Sequence, residues 1–521
     1  MKYIITSCLL IMVLFVQAQK PQTTTGFYTN PVISGMSADP SICKAGDDYY
    51  LVNSSFLWFP GVPIYHSKDL INWELIGHVL DRISQLDLTK GGGIFAATIR
   101  FYRDTFYVVT TNRRNGGNFF VKATNPAGPW SDPVWLDQDG ADPSLYFENG
   151  KTYFTSCISG AILQSEININ TGKIISDKKI IWRGTGGRDP EGPHLYKYKE
   201  FYYLMIAEGG TDYGHKITIA RSSSPWGPFE SYSGNPILTQ NKFSSQSNPL
   251  QGAGHGDIIQ ASDGTWWMVF LAFRPFKGHH HLDRETCLTP MNWSDAAWPM
   301  IPFEGTAMLE NHTKTLPLYP FAVPASKDDF NNEKLNPIWN FYCNPVPGSW
   351  SLTERKGFLR LYGEKGNLDT SRSPQMILQT QKYFDCAAST SLDFDPVNEN
   401  EEAGLTVFYS QGAHYDLFIR KKGNDRELVL RYVLGKIMHE EKKVMLSKGN
   451  VQLKVEANKA SYVFSFSQGA ENKMMGEVDT KFLSPETFGG FLGLHIGMFA
   501  AGNNMNSRTP ADFDWFEMKP L

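Results

Sequence analysis

The segments ADPSICKAGDDYYLVNSSF at 38–56 and ADPSLYFENGKTYFTS at 141–156 share one pattern. An acidic residue opens a strand, a polar or glycine-containing turn follows, and a second strand carries aromatic side chains. Alternation and turn residues of this kind predict β-hairpins. The same plan recurs at 97–112 (ATIRFYRDTFYVVTTN), 190–211 (PEGPHLYKYKEFYYLMIAEGGT) and 256–273 (GDIIQASDGTWWMVFLAF).

A second unit follows most of these hairpins, with a polar turn and a tryptophan between two more strands. Examples are IYHSKDLINWELIG at 64–77, VKATNPAGPWSDPVWL at 121–136 and IARSSSPWGPFESY at 219–232. Four strands per repeat of roughly 50 residues, repeated five times, are typical of a propeller. The sequence therefore predicts a five-bladed β-propeller over about 26–320.

The chain changes character after a proline-marked linker at Pro317, Pro320 and Pro324. Short alternating strands such as GFLRLYG, YDLFIRKK and SYVFSFS follow at close spacing. This pattern predicts a β-sandwich over 326–521. The predicted fold class is therefore all-β, a five-bladed propeller followed by a sandwich.

The first 18 residues are typical of a signal peptide. Lys2 precedes a mostly apolar run at 4–16, which is too short to span a bilayer, and Ala18 suits cleavage. Cys8 lies inside the apolar run, which makes a lipid anchor the less favoured alternative. We expect a secreted or periplasmic protein.

Net charge and cysteine content exclude other classes. The formal net charge is −4 and no basic patch is present, so nothing indicates nucleic acid or an anionic membrane as a partner. Five scattered cysteines remain after position 18 and do not form a disulfide framework. Cys343 and Cys386 could pair, but buried thiols are the favoured interpretation.

Carboxylic residues open three of the five predicted first strands: Asp39, Asp142 and Glu191. The first strands of a propeller line its central channel and begin at the same end, so these side chains should meet in one pocket. Thr98 and Asp257 lie near the equivalent place in the other two blades. A single acid at a strand start is usually a turn residue, but three acids that repel one another around an axis indicate catalysis.

Glycosidic bond hydrolysis needs two carboxyl groups. One protonates the leaving oxygen and the other acts on the opposite face of the sugar, about 6.5–9.5 Å away in inverting enzymes. A third carboxylate beside the acid keeps it protonated near neutral pH by like-charge repulsion.

Several stretches resemble glycoside hydrolase family 43, in its β-xylosidase and α-L-arabinofuranosidase branches. The most specific are NPVISGMSADPSI, SSFLWFPGVPIYHSKDLINW, ADPSLYF, PEGPHLYK with the following AEGGT, and GHGDIIQ. The C-terminal part resembles the concanavalin-A-like sandwich, a jelly-roll fold, of these enzymes. The resemblance implies Asp39 as general base, Glu191 as general acid, and Asp142 as the residue that orients the acid and raises its pKa.

The resemblance also implies a set of substrate-binding residues. Arg284 looks like the family's arginine that binds sugar hydroxyls, and Phe56 and Trp58 resemble the aromatic wall of the sugar subsite. Thr211 is similar to another pocket-lining residue. Phe95 stands where many relatives have a tryptophan, which keeps an apolar face but loses an N–H donor.

His255 resembles a histidine near the propeller axis, and two roles stay open for it. It either supports the acids and the substrate or ligates a structural calcium, although calcium prefers oxygen ligands. No cofactor is expected to be required. The run His279–His281 invites a metal interpretation too, but a flexible loop at the pocket edge is favoured.

The sandwich is expected to pack against the propeller rather than to bind carbohydrate itself. The stretch 491–494 and the loop 499–506 could reach the active site. Long inserts at 236–252 and 277–302 favour a pocket and exo action on xylan, arabinoxylan or their oligosaccharides. An endo-arabinanase, or a propeller that binds sugar without catalysis, is the alternative, and the preferred pentose, natural polymer and oligomeric state stay open.

Overall fold

The computed structural model describes residues 26–294, 297–313, 316–369 and 374–521. The predicted signal peptide lies outside these described residues, as does Cys8. Within them the regular secondary structure is almost entirely β-strand, which confirms the predicted all-β class. No helix in the described ranges is long and apolar enough to cross a membrane.

The N-terminal half consists of short antiparallel strands joined mostly by tight turns. In chain order they are β1 (Gly26–Thr29), β2 (Ser41–Ala45), β3 (Asp48–Val52), β4 (Trp58–Phe59), β5 (Gly61–Ser67), β6 (Glu74–Leu80), β7 (Ile94–Tyr102), β8 (Thr105–Asn112), β9 (Gly117–Ala123), β10 (Val134–Trp135), β11 (Ala141–Glu148), β12 (Lys151–Ile158), β13 (Ala161–Ile167), β14 (Lys179–Trp182), β15 (Glu191–Tyr198), β16 (Phe201–Glu208), β17 (Lys216–Ser222), β18 (Glu230–Ser231), β19 (Leu238–Thr239), β20 (Gln251–Gln260), β21 (Trp266–Phe273), β22 (Glu285–Met291), the short helix α1 (Pro302–Gly305) and β23 (Glu310–Thr313).

All of these strands except β1, β4 and β23 form five sheets arranged in a ring. The sheets are β2-β3-β5-β6, β7 to β10, β11 to β14, β15 to β18 with β19, and β20 to β22. The first strands contact one another in a closed cycle: β2 touches β7, β7 touches β11, β11 touches β15, β15 touches β20, and β20 touches β2. One side of each first strand therefore faces a common axis.

The turn chemistry of the hairpins follows the sequence. Between β11 and β12, the Glu148–Lys151 pair is closed by Asn149 and Gly150 at φ of 50° and 79°. A two-residue turn of this type needs positive φ at both positions, and Asn-Gly tolerates it best. The turn fixes the register, so Tyr146 lies opposite Tyr153 within the sheet.

The C-terminal half forms two packed sheets, of which one contains β28-β37-β30-β31-β32-β33 and the other contains β26-β27-β38-β29-β34-β35-β36 with β24 at an edge. Their bounds, with the short helix α2, are β24 (Lys327–Asp328), β25 (Phe341–Tyr342), β26 (Trp350–Ser351), β27 (Leu359–Tyr362), β28 (Gln375–Thr380), β29 (Cys386–Asp393), β30 (Glu402–Ser410), β31 (Ala413–Lys422), β32 (Asp425–Leu434), β33 (Ile437–Leu446), β34 (Val451–Ala457), β35 (Ser461–Ser467), β36 (Asn472–Asp479), α2 (Pro485–Phe488), β37 (His495–Ala501) and β38 (Pro510–Pro520).

The sandwich is docked against the propeller by mixed apolar and backbone contacts. Strand β4 of the propeller pairs with β25, which places Trp58 opposite Tyr342. The indole of Trp58 lies 3.7 Å from the His495 ring centroid, and its Nε1 donates to the Leu492 carbonyl at 2.7 Å. The two domains therefore share one buried apolar core.

The cysteines match the thiol interpretation. Cys343 and Cys386 form no disulfide, and no disulfide forms among the described cysteines. Burial raises the pKa of the Cys386 thiol to about 12, so this thiol is unreactive at neutral pH.

Candidate active site

Each of the five first strands approaches the axis through one residue in the left-handed region. These residues are Asp39, Ala96, Asp142, Gly192 and His255, with φ of 53°, 40°, 51°, 58° and 43°. The strand register is irregular at the same place in four blades, between 95 and 98, 141 and 144, 191 and 194, and 254 and 257. Such bulges bend a strand and re-aim a side chain, and they are frequent beside active sites.

This repeat corrects the prediction that Thr98 and Asp257 lie near the positions equivalent to the three acids. Thr98 and Asp257 lie two positions beyond Ala96 and His255, so they belong to the next layer down the axis. There the Asp257 carboxylate is fully buried and accepts from the Arg100 guanidinium at 2.7 Å. Burial opposes ionisation of Asp257, but Arg100 and neighbouring groups hold its pKa below the ordinary value. Asp257 is therefore a structural ion-pair residue beneath the cavity floor.

A cavity of about 600 Å³ opens over the axis, a size typical of small-ligand sites. It brings together all but one of the predicted site residues, and the sandwich contributes one wall residue. The relevant lining residues are Asp39, Phe56, Phe95, Asp142, Glu191, Thr211, His255, Arg284 and Phe491.

Asp39 is buried among groups that favour its charged form. Its Oδ2 accepts from the Ser54 hydroxyl at 2.5 Å, and its Oδ1 lies 3.6 Å from an Arg284 nitrogen and 3.8 Å from His255 Nδ1. Burial alone would raise the pKa of Asp39, but His255, Arg284 and Ser54 lower it below the ordinary value. Asp39 is consequently an ionised carboxylate at neutral pH.

The pKa of Asp142 is shifted in the opposite direction from that of Asp39. Burial raises the pKa of Asp142 to about 7; His255 counteracts this rise, while the charges of Glu191 and Asp39 add to it. Its Oδ2 accepts from the Gly192 backbone N–H at 3.2 Å. The Asp142 carboxyl group, next to Glu191, therefore gains and loses its proton near neutral pH.

Glu191 is more accessible than Asp39, with 24% of its side chain exposed against 9% for Asp39. Its Oε1 lies 3.5 Å from Nε2 of His215, a fully buried ring that the sequence did not single out. Gly254 packs against this ring, and a Cβ there would lie 2.3 Å from His215 Nδ1. Gly254 of the AGHGD segment thus makes room for the imidazole that faces Glu191.

His255 lies between the acids. Burial opposes its charged form, but Asp39, Asp142 and Glu191 raise the pKa of His255 above the ordinary value. Gly192 accommodates this ring, since a Cβ on Gly192 would meet it at 2.9 Å. No group of three or more His, Cys, Asp or Glu side chains in the described part of the chain could hold a metal ion.

The aromatic wall combines both domains. Phe56 packs edge-on against Phe95 with ring centroids 4.9 Å apart and stacks on Phe491 of the sandwich at 5.8 Å. The Arg284 guanidinium lies 5.2 Å from the Phe56 centroid and 4.9 Å from that of Phe491. The stretch 491–494 thus reaches the cavity as expected, whereas no residue of 499–506 lines it.

Trp58 is the one predicted wall residue that lies elsewhere. Only 3% exposed, it packs between the domains through the contacts described above, and it does not line the cavity. Along a strand, Phe56 and Trp58 would share a face, but Phe56 adopts a positive φ of 47° and breaks the alternation. Trp58 is therefore an interdomain residue.

The histidine run also differs from the expected flexible loop. His280 and His281 are buried, and His280 Nδ1 lies 2.5 Å from Oε1 of Glu486 in α2. The His279 ring is 3.2 Å from the Ser484 hydroxyl. The run is a docking contact for the sandwich beside the active site.

Asp283 was not anticipated from the sequence. Its Oδ1 accepts from Nε of Arg284 at 3.1 Å, and its Oδ2 accepts from the Gly493 backbone N–H at 3.0 Å. Asp283 is fully buried and joins the arginine that faces Asp39 to the sandwich segment that carries Phe491. Only its position next to Arg284 could have suggested this role.

An ionised carboxylate, a carboxyl group whose pKa is raised to about 7 and a third acid lie in one aromatic-walled pocket on the propeller axis, and carboxyl groups in such different electrostatic states are what glycoside hydrolases use. Residues 28–299 match the model for glycosyl hydrolases family 43, and residues 327–519 match that for the beta xylosidase C-terminal concanavalin A-like domain. The chain belongs to glycosyl hydrolase family 43 and is a glycosidase. Membership of this family disfavours the alternative of a propeller that only binds sugar.

Characterised relatives are similar over nearly the whole chain. A non-reducing end α-L-arabinofuranosidase of Bacteroides ovatus is 42% identical over 95% of both chains. A β-xylosidase of Bacillus subtilis is 32% identical, covering 94% of this chain and 99% of its own. The solved structure of a Bacteroides ovatus xyloglucan PUL family 43 protein superposes with a TM-score of 0.92 at 42% identity, over 95% of this chain and all of that one.

Proposed function

We propose that the enzyme is an inverting exo-glycosidase that releases α-L-arabinofuranose or β-D-xylose from the non-reducing ends or side chains of xylan, arabinoxylan or their oligosaccharides. The observation that carries this proposal is the convergence of Asp39, Asp142 and Glu191 on one cavity. The sequence places these residues in three separate blades, and no structural need of the propeller explains three adjacent acids.

The electrostatics support a division of labour. Asp39 is ionised, so it can take a proton from a water molecule that attacks the anomeric carbon. Glu191, which reaches into the cavity, would protonate the leaving oxygen. When Asp142 ionises near neutral pH, its negative charge beside Glu191 opposes loss of the Glu191 proton by like-charge repulsion, which favours a protonated acid at the moment of bond cleavage.

The pocket wall supports exo action. Phe491 stacks on Phe56 and Arg284, so one side of the cavity is covered by the sandwich. An endo-arabinanase needs a groove open at both ends, which this covering disfavours. A sugar ring at the chain terminus would lie against the aromatic wall with its hydroxyls within reach of Arg284 and Thr211.

The names of the relatives guide the choice of sugar. The 42% identical relative is named an arabinofuranosidase and the 32% identical one a β-xylosidase, which supports arabinofuranose as the first substrate to test. The xyloglucan in the name of the superposed structure makes arabinosylated xyloglucan a second candidate polymer.

A comparison of nitrophenyl α-L-arabinofuranoside with nitrophenyl β-D-xylopyranoside tests the proposal. We expect hydrolysis of at least one of them, with the first-formed sugar having the inverted anomeric configuration by NMR. First appearance of the retained anomer would overturn the roles given to Asp39 and Glu191. The variant Asp137→Asn, which changes an exposed carboxylate that does not line the cavity, is the matched control for carboxylate substitutions.

We also propose export to the periplasm or the medium. The proposal rests on residues 1–18 alone, and N-terminal sequencing of the protein recovered from the native host would test it. A mature protein that still begins at Met1 would contradict it.

Catalysis is proposed to need no metal. Calcium favours six to eight oxygen ligands, whereas His255 offers nitrogen beside Asp39. Exhaustive dialysis against a chelator should leave kcat and Tm unchanged. A loss of either that added calcium restores would support the structural-calcium alternative.

A further inference from the structure

The hairpin between β8 and β9 forms part of the cavity mouth. Arg113, Arg114 and Gly117 of this hairpin line the cavity. Asn112, at the end of β8, pairs with Ile94 at the start of β7, the end at which the first strands turn towards the axis. The hairpin therefore lies on the same face of the propeller as the three acids.

The two arginines of the hairpin are exposed and have uncommitted donors. Arg113 lies 5.5 Å from the Phe95 ring centroid, but neither it nor Arg114 forms an ion pair or a side-chain hydrogen bond with the described residues. Arg188, next to the cavity-lining Asp189, differs because it is paired with Asp189 at 3.0 Å and Asp212 at 2.6 Å. The planar guanidinium groups of Arg113 and Arg114 can therefore donate to an incoming ligand.

Trp135 continues this surface away from the cavity. Its indole rests on the hairpin backbone, since a Cβ on Gly116 would come within 2.4 Å of the ring. Trp135 pairs with Phe119 in the adjacent strand, yet 47% of it stays exposed. The exposed indole thus offers a flat apolar face beside the hairpin that lines the cavity mouth, to which a ligand ring can stack.

We propose that Arg113, Arg114 and Trp135 form a distal subsite for the aglycone, the part of the glycan chain that stays behind after the terminal pentose is removed. The occupant follows from continuity, because a chain whose end lies in the cavity must leave through the mouth that this hairpin lines. Sugar rings present C–H faces that stack on indole and hydroxyl pairs that accept from guanidinium groups. This proposal rests on the proposed function and extends it to substrates of several sugar units.

The wild-type enzyme provides the first test. Disaccharide and pentasaccharide substrates with the same terminal pentose are compared with the nitrophenyl glycoside. We expect kcat/KM to rise about fivefold from the disaccharide to the pentasaccharide, the gain typical of one aromatic contact. Equal kcat/KM values for the two oligosaccharides would overturn the distal subsite. If the enzyme hydrolysed none of the three substrates, the result would instead contradict the proposed function.

Variants then locate the effect. Trp135→Ala should abolish the gain on the pentasaccharide and leave hydrolysis of the nitrophenyl glycoside unchanged, whereas Trp135→Phe should keep part of the gain. Arg114→Gln should raise KM for the pentasaccharide. Phe303→Ala, which removes an exposed ring that does not line the cavity, is the matched control.

Two outcomes contradict the proposal at this stage. The first is an equal loss on both substrates for Trp135→Ala, which would mean that the indole acts through the fold. The second is an unchanged pentasaccharide gain in both Trp135→Ala and Arg114→Gln.

Discussion

The propeller side and the sandwich side of the active-site cavity are built in different ways. The propeller side carries the charges, and each acid lies at or next to the same left-handed position of a repeated strand. The sandwich side contributes one aromatic ring, Phe491, and the Gly493 backbone N–H that donates to Asp283. The comparison teaches that repetition places the reacting groups, whereas the pocket shape depends on a segment with no counterpart in the repeat.

Loss of an acid on the propeller side should have the largest effect. Asp39→Asn removes the proposed base, and we expect kcat to fall by about 10³-fold or more while sugar binding persists. Initial rates and calorimetric titration with the released pentose check this. Turnover within tenfold of the Asp137→Asn control would break the assignment of chemistry to the propeller.

Disruption of the link between the two sides should have the next largest effect. Asp283→Ala frees Arg284 from its anchor, and a misplaced group of this kind costs about 10²-fold in kcat/KM. Arg284 lowers the pKa of Asp39, so its displacement should move the acidic limb of the kcat/KM profile to higher pH.

The conservative variant separates positioning from folding. Asp283→Asn keeps an acceptor for Arg284 but loses the charge, so it should recover part of the activity. An Asp283→Ala enzyme with lower Tm but an unshifted pH profile would assign the residue to stability alone.

The raised pKa of Asp142 should make the free energy of unfolding depend on pH. Asp142 ionises near pH 7 in the folded enzyme but near its ordinary value when unfolded, so its contribution is present at low pH and lost as the pH rises through about 7. Asp142→Asn removes this loss, and we expect it to gain about 2 kcal/mol relative to wild type between pH 5 and pH 8. Tm measured across this range checks the sign; a variant that is equally shifted at both pH values would contradict it.

The sandwich side should affect binding more than chemistry. Phe491→Ala removes the ring that stacks on Phe56, and we expect KM to rise about tenfold with kcat changed little, as for an interaction made equally in both states. Phe491→Leu should fall between. A fall in kcat as large as that for Asp39→Asn would contradict this division, because it would mean that the sandwich takes part in the chemical step.

Trp58 should show the smallest effect. Trp58→Phe keeps the apolar contact but loses the hydrogen bond to the Leu492 carbonyl, which contributes about 1 kcal/mol. Tm should fall slightly while kcat/KM for a nitrophenyl glycoside stays unchanged. A rise in KM would return Trp58 to the sugar subsite.

The sequence predicted the fold class and the convergence of the acids because both follow from the repeat. Hairpin alternation places every first strand at one axis, so Asp39, Asp142 and Glu191 had to meet. Thr98 and Asp257 were predicted to lie level with the three acids, but they lie one layer below. The error arose because a bulge shifts the register of a strand without leaving a mark in its amino-acid composition.

Residues outside the repeat could be predicted only in part. Trp58 was assigned to the pocket because strand alternation continues through Phe56 in the sequence, whereas the chain turns there. Nothing in the run His279–His281 indicates that Glu486 faces it, because contacts between distant segments leave no local pattern. Asp283 and His215 were missed for the same reason.

The hydrogen bond from Gly493 to Asp283 has a consequence for modular engineering of this enzyme. A carbohydrate-binding module on a flexible linker can be exchanged freely, but here the trailing domain completes the wall of the pocket. An exchange that omits residues 485–494 would remove the hydrogen bond from Gly493 to Asp283, the residue that anchors the arginine beside Asp39, and would open the side of the cavity that Phe491 covers. The sandwich domain and the exo mode of cleavage therefore cannot be exchanged independently in this chain.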